Sequence, residues 1–241
     1  MPDSAEPENE PTAPRLRIDR RRFLKAAGAF AAGVVGLLTF GLLARRAGTP
    51  QGPVASGTAG PEQLLSSFPV RSAERTPRTS LEDWVVTVDG LVEKPLRLDR
   101  EAWSRLARRD EVVDFHCVEG WSVDAVSWGG VPLATVLDAT QPRPEAVAAT
   151  FHAAGGVYTD DLTLAEARDP QVLLADTIGG QPLPAEHGGP VRLVVPSQLG
   201  YKSVKWVERI ELVSERTPGY WEQNGYPAEA PVPESVRRQT E

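Results

Sequence analysis

Cysteine is almost absent from this chain of 241 residues, in which Cys117 is the single example. One thiol cannot form an intramolecular disulfide, so the fold does not depend on disulfide bonds. This scarcity fits either the cytosol or the export of an already folded protein. Histidine is also scarce, with three residues at positions 116, 152 and 187. One cysteine and three histidines at these positions do not have the spacing of a zinc site.

Positive charge is scarce as well, once the first 60 residues are set aside. Residues 1–60 carry eight basic and five acidic side chains, which leaves 18 basic against 28 acidic in the remainder. An acidic domain of this kind lacks the general basic surface that binds nucleic acid, so we expect no nucleic-acid partner. The 22 prolines and 21 glycines indicate many turns and argue against a helical bundle.

An uncharged, largely apolar run of 19 residues, 26–44, stands out in the N-terminal part. Its length is near the lower limit for a helix that crosses a bilayer. Six basic residues precede the run within 1–25, whereas only Arg45 and Arg46 follow it closely. This asymmetry predicts a cytoplasmic N-terminal region, 1–25, and a signal or transmembrane segment, 26–44, that sends the rest of the chain across the membrane.

The residues just before this run match a twin-arginine export signal. Arg20 and Arg21 are followed, after one residue, by Phe-Leu-Lys at 23–25, with Asp19 where Ser or Thr is more usual. The alternative is a plain signal anchor in which the arginines only set the topology. Because no clear A-x-A cleavage site closes the apolar run, retention as a membrane anchor is favoured. The expected location is the periplasm or the outer face of the cell membrane.

The rest of the chain has the pattern of one mixed domain. Residues 45–80 begin with a stretch rich in Gly, Pro, Ser and Ala and are predicted to be a linker. In 81–226, strand patterns alternate with short helical ones, and Asp99 and Thr163 are placed to cap two of the helices. Short helices scattered among strands favour an α+β fold over a regular βαβ sandwich. Residues 227–241 are predicted to form a flexible tail.

Cys117 falls where a predicted strand ends, in the sequence FHCVEGWS. A free cysteine is most often a small buried hydrophobe, but Gly120 permits a tight turn here, where sites are commonly built. The thiol could then be a soft metal ligand, or a nucleophile with a histidine base. His116 would point to the opposite face of the strand, so His152 or His187 would have to be that base. The residues alone leave these three alternatives open.

A second group of charged residues lies in the sequence HGGPVRLVVPSQLGYKSVKW. His187, Arg192, Lys202 and Lys205 fall within 19 residues of an otherwise acidic domain. Cations give affinity for a phosphate group, and backbone N–H groups in glycine-rich turns orient it. The pattern therefore indicates a phosphate-bearing cofactor. The alternative is a set of solvated charges that flank two strands.

The motifs FHCVEGWS…WGGVPL and LPAEHGGPVRLVVPSQLGYKSVKWVERIEL, in this order, resemble the molybdenum-cofactor domain of the sulfite oxidase family. The resemblance runs from about Trp84 to Tyr226 and points to the compact, exported bacterial branch that includes the protein-methionine-sulfoxide reductases. It implies that 81–226 form a sulfite oxidase-type molybdopterin-binding domain with mixed sheets and short helices. It also implies a molybdenum–molybdopterin cofactor and two-electron oxygen-atom transfer.

The resemblance implies a role for each residue that matches the family. Cys117 would bind molybdenum directly as a thiolate, and Tyr158 would belong to the catalytic pocket. The residues expected to hold the pterin and its phosphate, or to lie at the rim of the cofactor, are His116, His187, Arg192, Gly200, Lys202, Ser203 and Lys205.

Glu119 departs from the arginine-rich stretch that follows the metal ligand in sulfite oxidases. A negative charge beside the pocket would repel sulfite, so we expect reduction of a neutral sulfoxide or N-oxide, either small or protein-bound. Sulfite oxidation and a metal-free, membrane-anchored binding module are the alternatives. The resemblance covers no haem domain, and we therefore expect a membrane haem or quinone-linked partner to supply electrons.

Overall fold

The computed structural model describes residues 61–234. Within them the chain forms five short helices, α1 (Pro61–Ser67), α2 (Arg100–Ser104), α3 (Leu133–Thr140), α4 (Leu164–Ala167) and α5 (Tyr220–Gln223). Two single-turn 3-10 helices span Ala185–His187 and Gly200–Lys202. None of the helices in residues 61–234 has both the length and the apolar character that a bilayer crossing needs. The predicted export signal and anchor, within 1–44, lie outside the described residues.

Ten strands occur in the same part of the chain. In chain order they are β1 (Val86–Gly90), β2 (Leu96–Leu98), β3 (Arg109–His116), β4 (Ser122–Pro132), β5 (Ala148–Ala153), β6 (Thr159–Thr163), β7 (Leu173–Ile178), β8 (Gln181–Pro182), β9 (Arg192–Val194) and β10 (Val207–Val213).

The strands form two sheets. The first has the order β2-β1-β10-β5-β6, and the second has the order β3-β4-β7-β8, with β9 also paired to β7. β1 and β10 are parallel, with Val88 opposite Ile210, whereas the other neighbours in the first sheet are antiparallel. All pairs in the second sheet are antiparallel. The prediction of an α+β fold with mixed sheets and short helices is therefore confirmed.

The buried apolar side chains form two clusters, and the larger one takes residues from both sheets. The larger cluster includes Trp84, Val88, Trp103, Leu137, Phe151, Leu162, Trp206 and Ile210. The smaller one includes Leu64, Phe68, Phe115, Val126, Trp128, Leu173, Ile178 and Val194. Burial of these side chains supplies the main stabilising term of the fold.

The helix starts follow the capping residues of the sequence. The Asp99 side chain accepts a hydrogen bond from the backbone N–H of Ala102 at 3.0 Å, at the start of α2. Thr163 and Glu166 form a reciprocal capping box at the start of α4, in which each side chain accepts a bond from the other residue's backbone N–H. These contacts satisfy N–H groups that a helix leaves free in its first turn. The two capped helices predicted from the sequence are thus confirmed.

Both ends of the domain differ from the predicted boundaries. The segment 61–80 belongs to the predicted linker, yet it contains α1, and Leu64 on this helix and Phe68 directly after it are buried in the smaller cluster. Within the predicted tail, Ala230 and Val232 are buried, and the Ala230 carbonyl accepts a bond from Leu199 N. The domain therefore extends beyond 81–226, because apolar side chains on both flanking segments pack against it.

Candidate active site

Cys117 lies directly after the last residue of β3, in the turn that leads to β4. Its backbone N–H donates to the Trp121 carbonyl at 2.9 Å, and its carbonyl accepts from Gly120 N at 3.0 Å. These two bonds fix the turn, so the thiol has a defined position at the end of the strand. The half-buried side chain of Cys117 lines a cavity of about 350 Å³. This cavity is the candidate site.

Arg192, on β9, brings a fully buried guanidinium to the same cavity. Its Nη1 donates to the His187 carbonyl at 2.7 Å and its Nη2 to the Ser203 carbonyl at 3.1 Å. The guanidinium also lies against the rings of Phe115 and Trp128, at 5.5 and 5.1 Å from their centroids. It forms no ion pair with any residue in 61–234. Burial accordingly lowers the pKa of Arg192 to about 10.

Lys205 is a second cation that faces the cavity without a carboxylate partner in the described residues. Its Nζ donates to the Glu186 carbonyl at 2.6 Å. Burial, together with repulsion from Arg192, lowers the pKa of Lys205 to about 7. His187, which also lines the cavity, has its pKa lowered mainly by burial. Arg192 and Lys205 thus form a basic wall, with His187 beside it, and neither has an ion-pair partner among residues 61–234.

Two glycines permit the close packing of this wall. A Cβ at Gly188, where φ is +105°, would lie 2.9 Å from Lys205 Cγ and 3.0 Å from Arg192 Cβ. A Cβ at Gly200 would lie 2.4 Å from Phe115 Cζ, well inside van der Waals contact. Because Phe115 is two residues before Cys117, the Gly200 contact joins the thiol-bearing turn to the cationic segment. The two motifs of the sequence therefore meet in space.

The structure places most of the predicted site residues around one cavity. Those that line it are Cys117, Tyr158, His187, Arg192, Gly200, Ser203 and Lys205. Tyr158 donates its hydroxyl proton to the Tyr201 carbonyl at 2.5 Å, and burial raises the pKa of this hydroxyl far above its usual range. Tyr158 therefore remains protonated at neutral pH.

His116 and Lys202 do not line the cavity. The buried His116 ring places Nδ1 2.8 Å from Ser122 Oγ. Lys202 is buried as well, and its ammonium binds Asp160 and, at 2.7 Å, Glu222. The Lys202 side chain thus belongs to an ion-pair network with these two carboxylates, and the lining of the cavity gives no support to its predicted contact with the cofactor.

Residues from outside the predicted domain complete the cavity wall. Phe68, Arg71 and Glu74 come from the segment between α1 and β1. No strand alternation marks this segment in the sequence, and the one local signal is the helical spacing of Leu64 and Phe68. Aromatic side chains form much of the remaining wall: Phe115, Trp121, Tyr201, Trp206, Trp221 and Tyr226.

Glu119 does line the cavity, but its charge is compensated. Its carboxylate accepts from Arg71 Nε at 2.8 and 3.0 Å and from Trp121 Nε1 at 2.9 Å. The bond from Trp121, with those from Arg71, lowers the pKa of Glu119. The expectation that an unpaired Glu119 repels sulfite therefore loses its basis, because Arg71 places a positive charge beside it.

The geometry weakens the thiol-enzyme alternative. His152 lies 3.2 Å from Glu211 and does not line the cavity, which leaves His187 as the one histidine that does so among the described residues. Burial raises the pKa of the Cys117 thiol, whereas an activated nucleophilic cysteine has a lowered one. The protein surroundings of Cys117 therefore do not activate it as a nucleophile.

Comparison with known proteins agrees with this geometry. The family described as oxidoreductase molybdopterin binding domain matches residues 73–221, more than half of the chain. The chain belongs to this molybdopterin-binding oxidoreductase family. The prediction of the family and of a molybdopterin-dependent enzyme is confirmed.

Three known proteins are similar to the chain. It is 37% identical over 155 residues to the protein-methionine-sulfoxide reductase catalytic subunit MsrP of Gluconobacter oxydans, across 57% of this chain and 49% of that protein. It is 36% identical over 173 residues to an uncharacterized oxidoreductase, YuiH, of Bacillus subtilis, across 71% of this chain and 87% of the relative. The crystal structure of the sulfane dehydrogenase SoxCD from Paracoccus pantotrophus superposes with a TM-score of 0.56 at 26% identity, across 61% of this chain and 42% of that one. The chain thus spans about half the length of the methionine-sulfoxide reductase subunit.

The described residues fit the cofactor of the molybdopterin-binding family. A buried guanidinium without a counter-ion is costly, and a phosphate is the partner that a fork of N–H donors matches best. Arg192 and Lys205 offer such donors to the cavity, and the Cys117 thiol offers a soft ligand on the same cavity. The site therefore combines hydrogen-bond donors for a phosphate with a sulfur ligand for a metal, and a metal-bearing, phosphorylated pterin requires both.

The pKa of Lys205 predicts how stability depends on pH in the cofactor-free chain. Its folded-state value of about 7 lies below the ordinary value of 10.5. At pH values between these two pKa values, Lys205 binds more protons in the unfolded chain than in the folded one. The contribution of Lys205 to the free energy of unfolding therefore rises with pH. Melting temperatures from about pH 6 to 9.5 should therefore rise in the wild type relative to Lys205→Met. A constant difference between the two proteins would contradict the lowered pKa.

Proposed function

We propose that this protein is an extracytoplasmic molybdenum-cofactor oxidoreductase that reduces a sulfoxide or N-oxide substrate by two-electron oxygen-atom transfer. One observation carries the proposal: a single aromatic-walled cavity is lined by the Cys117 thiol and by two cations that no described carboxylate pairs. The similarity to a protein-methionine-sulfoxide reductase subunit supports the choice of substrate class. It covers about half of that subunit, so the substrate is argued from the cavity as well.

In this proposal, each wall of the cavity has a distinct task. Arg192 and Lys205 would bind the phosphate of the pterin, with His187 and Ser203 at its edge, and Cys117 would be the protein ligand of molybdenum. When bound, the cofactor would supply reversible two-electron chemistry and accept the transferred oxygen. The bonds from Arg192 to the His187 and Ser203 carbonyls hold the guanidinium in one orientation before any ligand arrives.

The aromatic wall would receive the organic part of the substrate. Trp121, Trp221 and Tyr226 present apolar ring surface around the cavity, which favours a neutral molecule with alkyl substituents and excludes water from it. Tyr158 stays protonated, and its hydroxyl proton is held on the Tyr201 carbonyl. Its proposed task is therefore to shape the pocket and to hold a proton near the reacting region.

Sulfite oxidation is a second candidate, and one observation favours it. Arg71, whose side chain is 62% exposed, lines the cavity and carries a positive charge at its solvent-facing edge. Such a charge could attract an anion. Because Glu119 already accepts the Arg71 guanidinium at 2.8 Å, an incoming anion would have to compete for it. We therefore rank the neutral substrate first.

The location and the electron donor are also part of the proposal. The basic residues of 1–25 and the apolar run 26–44 support twin-arginine export with the segment retained as an anchor. A membrane haem or quinone-linked partner would supply the electrons. Reduction of the enzyme by isolated membranes together with a quinol would support this partner, and the absence of any such reduction would count against it.

The function can be tested with the full-length protein from a host that makes molybdopterin. Metal content is measured by mass spectrometry, and turnover is measured with dimethyl sulfoxide and methionine sulfoxide under an artificial reductant. Sulfite is tested in parallel with an artificial oxidant. We expect stoichiometric molybdenum and sulfoxide reduction that exceeds sulfite oxidation.

Two other outcomes would each support a different function. Sulfite turnover above sulfoxide turnover would favour the second candidate. Well-folded protein without molybdenum, from a host whose other molybdoenzymes are loaded, would favour the metal-free binding module.

A further inference from the structure

The Trp221 side chain reaches the cavity from a helix that cannot hold itself in place. α5 consists of the four residues Tyr220–Gln223, and a helix of one turn is unstable in water without other contacts. The ring of Trp221 is half-buried and lines the cavity, as does that of Tyr226, three residues after the helix ends. Neither ring belongs to the two clusters of buried apolar side chains within residues 61–234. The position of this part of the wall therefore depends on how α5 is attached to the domain.

Glu222 connects α5 to the interior of the domain. Its side chain is 7% exposed, and its two carboxylate oxygens have different partners. Oε2 accepts a bond from the backbone N–H of Gly219 at 3.0 Å, which satisfies an N–H group at the start of the helix. Oε1 accepts a bond from Lys202 Nζ at 2.7 Å. The carboxylate thus joins the helix to a buried ammonium, and Trp221 is the residue directly before it.

Lys202 is held from its other side by β6. Its ammonium binds the Asp160 carboxylate and lies 3.6 Å from that of Asp161. Asp161 also accepts two bonds from Arg216, at 2.7 and 2.9 Å, so the chain that leads into α5 is attached to the same strand. The network as a whole pairs the carboxylates of Asp160, Asp161 and Glu222 with two cations. It attaches α5 and the residues before it to β6 at two points.

Gly219 shows how closely the start of α5 packs on β6. A Cβ at this position would lie 2.8 Å from Asp160 Cγ and 2.9 Å from the Thr159 carbonyl oxygen. The φ of Gly219 is −68°, which any residue adopts, so an alanine here would act through this contact alone. It would push the helix away from the strand without changing any charge.

We propose that the ion pair of Lys202 and Glu222 positions the substrate, because it holds the Trp221 ring at the cavity wall, where the ring binds the larger apolar substituent. The cavity then prefers a substrate with an aromatic substituent over one with two methyl groups. A ring that is already in place loses little conformational freedom when the ligand binds. This inference rests on the proposed function and makes Lys202 and Glu222 positioning residues that act through Trp221.

The test compares methyl phenyl sulfone with dimethyl sulfone, which differ in one substituent and contain no sulfoxide. Binding to the cofactor-loaded full chain is measured by calorimetry for the wild type, Glu222→Gln, Trp221→Ala and the double variant. Glu222→Gln removes the charge that pairs with Lys202 but leaves Lys202 its bond to Asp160, so it disturbs the fold less than a change of Lys202 does. Glu229→Gln is the matched control, since Glu229 is an exposed glutamate seven residues further along the same segment.

We expect the wild type and Glu229→Gln to bind methyl phenyl sulfone about 10-fold more tightly than dimethyl sulfone, because contact between aromatic rings adds to the burial of apolar area. Glu222→Gln should weaken the binding of methyl phenyl sulfone by about 3- to 10-fold and that of dimethyl sulfone by less than about twofold. In the Trp221→Ala background, Glu222→Gln should change either affinity by less than about twofold, since the ring that it positions is gone.

Additive effects of Glu222→Gln and Trp221→Ala on the binding of methyl phenyl sulfone would overturn the proposal. So would an equal loss of both ligands in Glu222→Gln, since that pattern means a general structural role. Equal affinity of the wild type for the two sulfones would exclude the contact between Trp221 and the substituent. Gly219→Ala, which displaces α5 and keeps every charge, should reproduce the selective loss, and it decides the matter if Glu222→Gln does not fold.

Turnover with dimethyl sulfoxide separates this inference from the proposed function. Wild-type turnover together with additive binding losses would leave the sulfoxide reductase intact and remove the role of the ion pair. Selective and non-additive binding losses without any sulfoxide turnover would keep the positioning of the Trp221 ring and remove the proposed reaction.

Discussion

Replacing Cys117 with serine is expected to lower the turnover number for a sulfoxide by at least about 100-fold. Serine has nearly the same size, so the cavity keeps its shape, but its hydroxyl oxygen is a hard and weakly acidic ligand where a soft metal prefers sulfur. Cys117 is the one thiol of the chain, and no other can replace it. Turnover under an artificial reductant, metal content and melting temperature are measured on the same preparations.

Val118→Ala is the matched control for this substitution. Val118 is adjacent to Cys117, lines the same cavity and is 42% exposed, so the change removes volume without removing a ligand. Its turnover should stay within about threefold of the wild type. Wild-type turnover in a folded Cys117→Ser protein would exclude any catalytic role of the thiol. Rapid alkylation of Cys117 in the loaded enzyme would also contradict its role as a metal ligand.

Replacing Lys202 with methionine is expected to lower the free energy of unfolding by about 3–5 kcal/mol. The Lys202 ammonium is 1% exposed and binds Asp160 and Glu222, which are 1% and 7% exposed. Burial opposes its charge, but these two carboxylates outweigh that effect and raise the pKa of Lys202. Methionine fills the space but leaves both carboxylates buried without their cation. Urea unfolding of the two proteins measures the difference.

Lys205→Met provides the comparison, since Lys205 is partly buried but forms no ion pair with a described residue. In the cofactor-free protein this variant should be as stable as the wild type or more stable, because an unpaired charge is removed. Equal losses from both substitutions would mean that side-chain packing, and not charge pairing, accounts for the effect. The contrast therefore tests whether Lys202 is structural and Lys205 faces a ligand.

Much of the fold could be predicted from local patterns. Apolar alternation and a turn glycine predict that Cys117 lies at the end of a strand. Capping side chains predict the helix starts at Asp99 and Thr163. Both kinds of signal act over a few residues. The assignment of the two motifs to one cofactor site came from the resemblance to a known family. The contact between Gly200 and Phe115 explains in physical terms why those motifs belong to one site.

The remaining features depend on contacts that are distant in sequence. Lys202 has the same local sequence context as Lys205, and only the fold places it against Asp160, 42 residues away. Arg71 meets Glu119 across 48 residues, and Glu74 meets Val157 across 83. No local pattern predicts such pairs, because the tertiary fold brings their members together, including the packing of the segment 61–80 on the domain.

The central place of β10 in the first sheet has a consequence for biosynthesis. This strand pairs in parallel with β1, the first strand within residues 61–234, so that Asp89 lies opposite Glu211. A growing polypeptide therefore cannot complete the first sheet until Val207–Val213 have left the ribosome, since non-local pairing of this kind forms late and slowly. The cavity residues between His187 and Trp206 precede β10 and are held by it on one side. Loading of the site must accordingly follow the synthesis of β10, and a chain that ends before Val207 would lack the strand that joins β1 to β5 in the first sheet.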